Sequence, residues 1–201
     1  MAAPANFKPE FINNIVTPIG RVSFPHLSKP DEGRQYSDGK FKATLLLPKK
    51  GVDLGPLKTA ALKVAQKSWP SKVKTLDDFV HPFRDGDLKD AEGYKGSVFI
   101  TCKSKRRPRM VGKMKEDVDG DMFYGGCKAR FIVTAMTYMQ AGKPGVTFLL
   151  DVVQFAGDGE KLGGGGGASV DSLDEINDEG ENPGDYAAPA EGAASSSSFL
   201  D

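Results

Sequence analysis

The sequence predicts a mainly β protein, in which a five-stranded antiparallel barrel carries one inserted helix and is followed by an acidic tail. Three observations support this fold class. Short segments rich in β-branched and aromatic residues recur along the chain, separated by clusters of Gly, Pro and Asp. Only one segment spaces its apolar residues as a helix does. After Leu162 the composition changes to Gly, Ser, Ala and acidic residues, which indicates a segment that does not fold.

The N-terminal part of the chain predicts two strands and the helix. NNIVTPIGRVSFPHL is broken by prolines, so it predicts an edge strand or a kinked strand. KFKATLLLP alternates and predicts a strand paired back onto the first. VDLGPLKTAALKVAQKSWP predicts the helix, which Pro70 ends and in which Trp69 is a packing residue. The apolar residues at helical spacing are Leu57, Ala61, Val64 and Ala65.

The following segments predict further strands and turns. HPFRDGDLKDAEGYKG predicts a long loop, whereas SVFITCKSK and RMVGKMK predict strands. KARFIVTAMTY alternates with period two, and AGKPG predicts a hairpin turn into VTFLLDVVQF. One face of KARFIVTAMTY carries Ala129, Phe131, Val133, Ala135 and Thr137, and the other carries Lys128, Arg130, Ile132, Thr134 and Met136. Five or six strands with one helix favour an OB-type barrel over residues 1–162.

Charge divides the chain at the same boundary. Residues 1–162 contain 27 basic and 18 acidic residues, a net charge of +9, whereas residues 163–201 contain nine acidic residues and no basic one. This asymmetry is typical of a nucleic-acid-binding body with an acidic tail. The tail, Gly163–Asp201, cannot bury enough apolar surface to offset its chain entropy, so we expect it to be disordered.

Catalytic and metal sites find little support in the sequence. Cys102 and Cys127 are expected to be reduced thiols, and neither has zinc-like spacing to His26 or His81. The aspartates of RDGDLKD and EDVDGD would suit a nuclease site or a calcium loop, but turns explain them better. No P-loop and no G-x-S-x-G motif occurs. We therefore expect no enzymatic activity, no cofactor and no metal.

A basic run, CKSKRRPRMVGKMK, is the strongest local signal for a binding function. It carries seven cations and no acid, on two predicted strands and the turn between them. Basic runs are common on solvated surfaces, but cations held in a row also match phosphates and displace their counterions. The residues predicted to contact phosphate are Lys103, Lys105, Arg106, Arg107 and Arg109 of this run, with Lys128 and Arg130 of the alternating strand.

Aromatic residues lie close to basic ones elsewhere in the chain. Non-specific single-strand binders combine cations that follow the backbone with aromatic faces that stack on unpaired bases. Most of the phenylalanines are expected in the core, and the strand pattern places Phe131, Phe148 and Phe155 there. The predicted stacking residues are Phe24, Tyr36, Tyr94, Phe123 and Tyr124.

In the order of these motifs the chain resembles the phage single-stranded DNA-binding proteins with an OB-type fold. The resemblance covers residues 11–160. It is carried by TPIGRVSFPHLSKP with KFKATLLLPK, by FRDGD with GYKGSVFITCKSKRRP, and by FYGGCKARFIVTAMTY with KPGVTFLLDVVQF. It implies single-stranded DNA binding without catalysis, in phage replication or recombination. The implied location is the cytoplasm of the infected host cell, and the sequence shows neither a membrane-spanning run nor a signal peptide.

The tail is expected to regulate binding and to recruit partners. A tethered acidic segment stays at high effective concentration around a basic body, so it should compete with DNA. Its tip, Phe199, Leu200 and Asp201, places two bulky apolar side chains beside carboxylates. Such a tip suits insertion into a pocket of a replication or recombination protein.

Two other functions stay open on the residues alone. A structural or adaptor protein, such as a virion component, would use the same basic face to bind an acidic protein. A nuclease would use the aspartate clusters and would cleave DNA in the presence of magnesium. Salt-sensitive binding to oligo-dT separates single-strand binding from the adaptor function. No pattern in the sequence predicts an oligomeric state.

Overall fold

A computed structural model describes residues 7–33, 35 and 37–162 of the chain. Tyr36 and the predicted tail, residues 163–201, lie outside this part. The described elements are β1 (Phe11–Val16), β2 (Gly20–His26), β3 (Phe41–Pro48), α1 (Gly55–Ser68), β4 (Phe83–Asp85), β5 (Ser97–Ser104), β6 (Arg109–Val111), β7 (Lys128–Gln140) and β8 (Lys143–Gly157). Short 3₁₀ turns lie at Leu76–Asp78, Gly86–Leu88 and Gly120–Met122.

Five strands close into a barrel in the order β2–β3–β5–β8–β7, and β7 returns to β2. Neighbouring strands of the ring are antiparallel except β5 and β8, which pair in parallel. The predicted OB-type barrel with one helix is thereby confirmed. β1 extends the sheet from β7, β4 pairs with β5, and β6 pairs in parallel with β8.

Three predicted segments differ in detail. NNIVTPIGRVSFPHL forms the separate strands β1 and β2, because Pro18 between them has no N–H to offer a neighbouring strand. The predicted loop HPFRDGDLKDAEGYKG contains β4, in which Phe83 pairs with Ile100 and buries its ring in the core. RMVGKMK holds a strand of only three residues, and this strand joins β8 rather than β5.

The core fills the barrel as the period-two pattern predicts. The predicted inward residues of β7 are all buried, and Phe131, Phe148 and Phe155 are core residues. The four apolar residues predicted for the helical face are buried as well. α1 packs against β1, β7 and β8. Trp69 closes the helix, packs against the core and stacks on Phe7 with ring centroids 5.7 Å apart.

β7 and β8 form a long hairpin, and one of its faces is on the outside of the barrel. Its turn consists of Ala141 and Gly142, which have φ values of 50° and 77°, the positive φ pair that fits the twist of a two-residue hairpin. The register shifts once in the middle of the hairpin: Ile132 is opposite Val152, but Val133 is opposite Leu150. Asp151 is therefore the extra residue of a β-bulge in β8.

Both cysteines are free and buried. Burial raises the pKa of the Cys127 thiol to about 11 and raises the pKa of Cys102 further. At neutral pH both side chains are thus protonated packing residues rather than nucleophiles. Within the described part of the chain, no helix is long and apolar enough to cross a membrane.

Candidate nucleic-acid interface

A row of outward side chains crosses the barrel from β3 to β7. Lys42 of β3 is opposite Lys103 of β5, Lys103 lies beside Leu149 of β8, and Leu149 is opposite Thr134 of β7. Lys42 is held by an ion pair with the buried Asp31. Lys103 is the more exposed of the two lysines and lies next to the apolar surface of the β7–β8 hairpin.

A cleft opens on this surface beside β5 and β8, and we call it the β5–β8 cleft. Its volume is about 530 Å³. Four cations line it, two from the predicted basic run after Lys103 and one from the segment before β3, above an apolar floor. The lining residues are Lys40, Lys103, Ser104, Lys105, Arg106, Met136, Thr147, Leu149 and Asp151.

A second depression, the β6–β7 groove, lies further along the same hairpin and has a volume of about 310 Å³. It too combines cations with an apolar floor. The lining residues are Val16, Arg109, Val111, Lys115, Arg130, Ile132, Val152 and Gln154. Arg130 is fixed in place, because its Nε donates to Gln154 Oε1 at 2.7 Å.

The two depressions share the outer face of the β7–β8 hairpin. On β7 the cleft reaches Met136 and the groove reaches Arg130, six residues or roughly 20 Å along a strand. Between them Thr134 donates to Asp151 at 2.7 Å. We call this surface, from cleft to groove, the hairpin face. It has cations at both ends, and apolar side chains together with the Thr134–Asp151 pair between them. Cations beside apolar side chains suit an extended polyanion with apolar faces.

Carboxylates pair with several of the predicted phosphate-contacting residues. Lys103 Nζ lies 2.7 Å from Asp38, Arg109 Nε lies 2.8 Å from Asp117, and an Arg107 nitrogen lies 3.6 Å from Asp119. The hydrogen bond from Lys103 lowers the pKa of Asp38, and that from Arg109 lowers the pKa of Asp117. Solvent-exposed pairs of this kind are weak, so a phosphate can replace the carboxylate.

Lys128 is separate from the cleft and the groove. It is the register partner of Arg21 of β2, and both line a third depression that also contains Lys95. Arg21 in turn donates to the Glu160 carbonyl at 2.9 Å. The structure therefore brings Lys103, Lys105 and Arg106 together, brings Arg109 and Arg130 together, and leaves Lys128 at another site. Arg107 lines neither depression of the hairpin face as far as the described residues show.

The stacking prediction is wrong for Tyr94 and Phe123. Tyr94 is 1% exposed, its hydroxyl donates to Ser23 at 3.0 Å, and its ring meets Phe99 edge to face. Lys89 Nζ covers the ring at 4.0 Å from its centroid. Phe123 is 4% exposed and packs edge to face on Phe155. Neither ring has a face free for a base, because each completes a hydrophobic cluster.

The other predicted stacking residues have different surroundings. Phe24 is 55% exposed and has a φ of 47°, in a bulged part of β2. Positive φ is costly for an aromatic residue and often marks a functional site. Tyr124 is half-buried and holds the end of the described chain, since its hydroxyl donates to Asp158 and to the Gly159 carbonyl, both at 3.1 Å. Tyr36 and the tail tip, Phe199, Leu200 and Asp201, lie outside the described residues.

Sequence reasoning missed Phe11 and Lys40. Phe11 of β1 is 46% exposed and is the register partner of Met136, which lines the β5–β8 cleft. The apolar floor itself had a signal, because the period-two pattern of β7 places Ile132, Thr134 and Met136 on the face of Arg130. There was no such signal for Phe11, because the pairing of β1 with β7 joins residues that are far apart in the chain.

The aspartate clusters are occupied by structural contacts. Lys49 Nζ lies 2.5 Å from Asp85 and 2.6 Å from Asp87, and Asp87 also accepts from the Gly96 N–H at 2.6 Å. The Lys49 hydrogen bonds lower the pKa of both carboxyls. Among the described residues, no group of three or more His, Cys, Asp or Glu side chains is placed to hold a metal ion.

Comparison with known proteins gives a consistent assignment. Residues 13–183 match the sequence family described as "Enterobacter phage Enc34, ssDNA-binding protein". Protein p50 of Acyrthosiphon pisum secondary endosymbiont phage 1 is 31% identical over 176 residues, which cover 82% of this chain and 92% of that protein.

The fold is similar to that of the single-stranded DNA-binding protein from bacteriophage Enc34. The structure of that protein in complex with ssDNA aligns with a TM-score of 0.59 at 21% identity, over 76% of this chain and 88% of that chain. A second structure of it aligns with a TM-score of 0.58 at 22% identity, over 83% and 90%. Since the family match spans most of the sequence, the chain belongs to the family of the Enterobacter phage Enc34 ssDNA-binding protein.

Proposed function

We propose that the protein binds single-stranded DNA, without catalysis and with wide tolerance of sequence, through the hairpin face. One observation carries the proposal: a cation-lined cleft and a cation-lined groove lie on the outer face of one hairpin, and each has apolar side chains of that hairpin in its floor. The family supports the nature of the ligand, because the similar protein from bacteriophage Enc34 was solved as a single-stranded DNA-binding protein in complex with ssDNA.

The cations provide most of the binding free energy in this proposal. Lys103, Lys105 and Arg106 take phosphates at one end of the face, and Arg109 and Arg130 take them at the other. Each bound phosphate releases condensed counterions, so affinity falls as salt rises. Arg107 and Lys128 line neither depression and stay predicted phosphate-binding residues.

Bases lie over the apolar floor. Unpaired bases expose apolar faces, which stack on aromatic side chains and pack on aliphatic ones without regard to sequence. Phe11 is placed for this role beside Met136. Phe24 is a second exposed ring, with Lys89 Nζ 5.3 Å from its centroid. In this proposal it stacks on a base of a longer DNA strand that continues past β2.

The family match supports a proposal about the biological role. We place the protein in phage DNA replication or recombination, in the cytoplasm of the infected host cell. Residues 163–201, with nine acidic residues, act as a tethered competitor for the basic body. Phe199, Leu200 and Asp201 serve as the docking tip for replication or recombination proteins.

Fluorescence anisotropy with labelled oligo-dT tests the proposal. We expect tight binding that weakens steeply as salt rises and that is stronger than binding to a duplex of the same length. An adaptor that uses its basic face for an acidic protein would instead show equal, weak binding to both nucleic acids. Labelled DNA that is cut in the presence of magnesium would contradict a role without catalysis.

A further inference from the structure

Asp151 is a carboxylate in the middle of the proposed phosphate-binding face. It lines the β5–β8 cleft together with Lys103, Lys105 and Arg106, and the groove with Arg109 and Arg130 begins at its neighbour Val152. Among the described residues, no cation lies within ion-pair distance of it. A negative charge at this place weakens phosphate binding nearby, so its presence calls for another ligand.

The backbone directs Asp151 to the outside of the barrel. A regular strand would turn alternate residues inward, and Leu150 and Val153 on either side are buried. The bulge in β8, opposite Ile132 and Val133 of β7, adds one residue to β8. Asp151 and Val152 therefore both line depressions of the outer surface. Bulges often re-aim a side chain at a binding site.

Thr134 fixes the orientation of the carboxylate. Its hydroxyl donates to Asp151 Oδ2 at 2.7 Å, and Thr134 itself is 8% exposed and packed into the sheet. An ionised carboxylate accepts through both oxygens. Oδ1 accepts no hydrogen bond from the described residues, and the exposed Asp151 side chain belongs to the lining of the cleft.

We propose that Asp151 accepts a hydrogen bond from the exocyclic amino group of a base in the cleft, so that the protein prefers cytosine over thymine at this position. Cytosine carries the N4 amino group, for which aspartate is a known acceptor, whereas thymine carries a carbonyl oxygen at the same place. The carbonyl oxygen would face the carboxylate and be repelled. The cations hold the phosphates at both ends of the face, and Asp151 reads one base between them. This inference rests on the proposed single-strand binding.

The test compares oligo-dC with oligo-dT of equal length by anisotropy at slightly alkaline pH, where cytosine stays unprotonated. The quantity of interest is the ratio of the two affinities. We expect Asp151→Ala to lower the dC-to-dT ratio about tenfold relative to the wild type, the lower end of the range expected for one hydrogen bond to a charged acceptor. Affinity for oligo-dT should rise in the same variant, because a repulsive charge is removed.

Two further variants separate orientation and charge from the hydrogen bond. Thr134→Val keeps the Asp151 charge but frees its side chain, so the ratio should fall partway. Asp77→Ala removes an equal charge from the exposed 3₁₀ turn Leu76–Asp78 and should leave the ratio unchanged. The same ratio in the wild type and in Asp151→Ala would overturn the inference while single-strand binding stands. No binding of either oligonucleotide by the wild type would overturn the proposed function together with it.

Discussion

Lys103 of β5 and Leu149 of β8 are register partners in the parallel pairing that closes the barrel. A cation thus stands directly beside the apolar floor of the β5–β8 cleft. Single-stranded DNA likewise carries charged phosphates beside the apolar faces of its bases. Because a cation and an apolar surface lie side by side here, we assign the bound DNA to the outer side of the β7–β8 hairpin. The contributions of charge and of base stacking to the binding free energy can then be tested separately.

Reversing the charge at one end of the hairpin face should remove most of the affinity. We expect Lys105→Glu with Arg106→Glu to weaken oligo-dT binding at least about tenfold. The slope of log affinity against log salt should become shallower by roughly 0.7 for each phosphate that the variant no longer binds. Lys58→Glu with Lys63→Glu changes the net charge equally on α1, away from the cleft. If both double variants bind alike, the cleft is not the site.

Phe11 should contribute by stacking rather than by charge. Phe11→Ala is expected to cost about 1–3 kcal/mol of binding free energy while the salt slope stays the same, as for other base–aromatic stacks. Phe7→Ala is the matched control, because Phe7 stacks on Trp69 at the end of the helix. Titrations at several salt concentrations measure both quantities. A weaker affinity in the control but not in Phe11→Ala would place the stack elsewhere.

Tyr94 should matter for stability and not for DNA. Tyr94→Phe removes the buried hydrogen bond to Ser23, and we expect it to lower the free energy of unfolding by about 1 kcal/mol. Tyr94→Ala should cost about 3–5 kcal/mol, because it leaves a cavity beside Leu46 and Phe99. Urea denaturation measures both values. A Tyr94→Phe variant of unchanged stability but weaker DNA binding would restore Tyr94 as a DNA-binding residue.

Deleting residues 163–201 should strengthen single-strand binding. The deletion removes nine acidic residues from a chain whose remaining part has a net charge of +9. The gain should be largest at low salt and should shrink as the body is screened. Phe199→Ala with Leu200→Ala should leave oligo-dT affinity unchanged and abolish capture of phage replication or recombination proteins. Equal affinity of the full and shortened proteins at every salt concentration would contradict the competition.

The barrel could be predicted because its elements follow local rules. The period-two pattern of β7 identified the inward residues and the outward ones, and the apolar spacing before Pro70 identified α1. β4 was not predicted, because three residues give too little pattern and its pairing depends on β5. RMVGKMK predicted β6 but not its short length or its pairing with β8. Local pattern also gave no reason to separate Lys128 from Lys103.

Aromatic residues were the weaker part of the site prediction. Tyr94 and Phe123 stand near polar and basic residues in the sequence, yet their rings turn into hydrophobic clusters made by distant strands. Phe11 stands in a segment without a basic run and is exposed because β1 covers the outer edge of β7. Whether an aromatic ring meets a core or a ligand is decided by tertiary packing, which spacing along the chain does not record.

The most direct test of the account is the salt dependence of oligo-dT affinity for the wild type and for Lys105→Glu with Arg106→Glu. We expect the wild type to bind oligo-dT more tightly than duplex of equal length, with a steep negative slope of log affinity against log salt. The double variant should bind more weakly and with a shallower slope, because it binds fewer phosphates. A wild type whose affinity for oligo-dT is independent of salt, or a folded double variant with the wild-type slope, would contradict phosphate binding at the β5–β8 cleft.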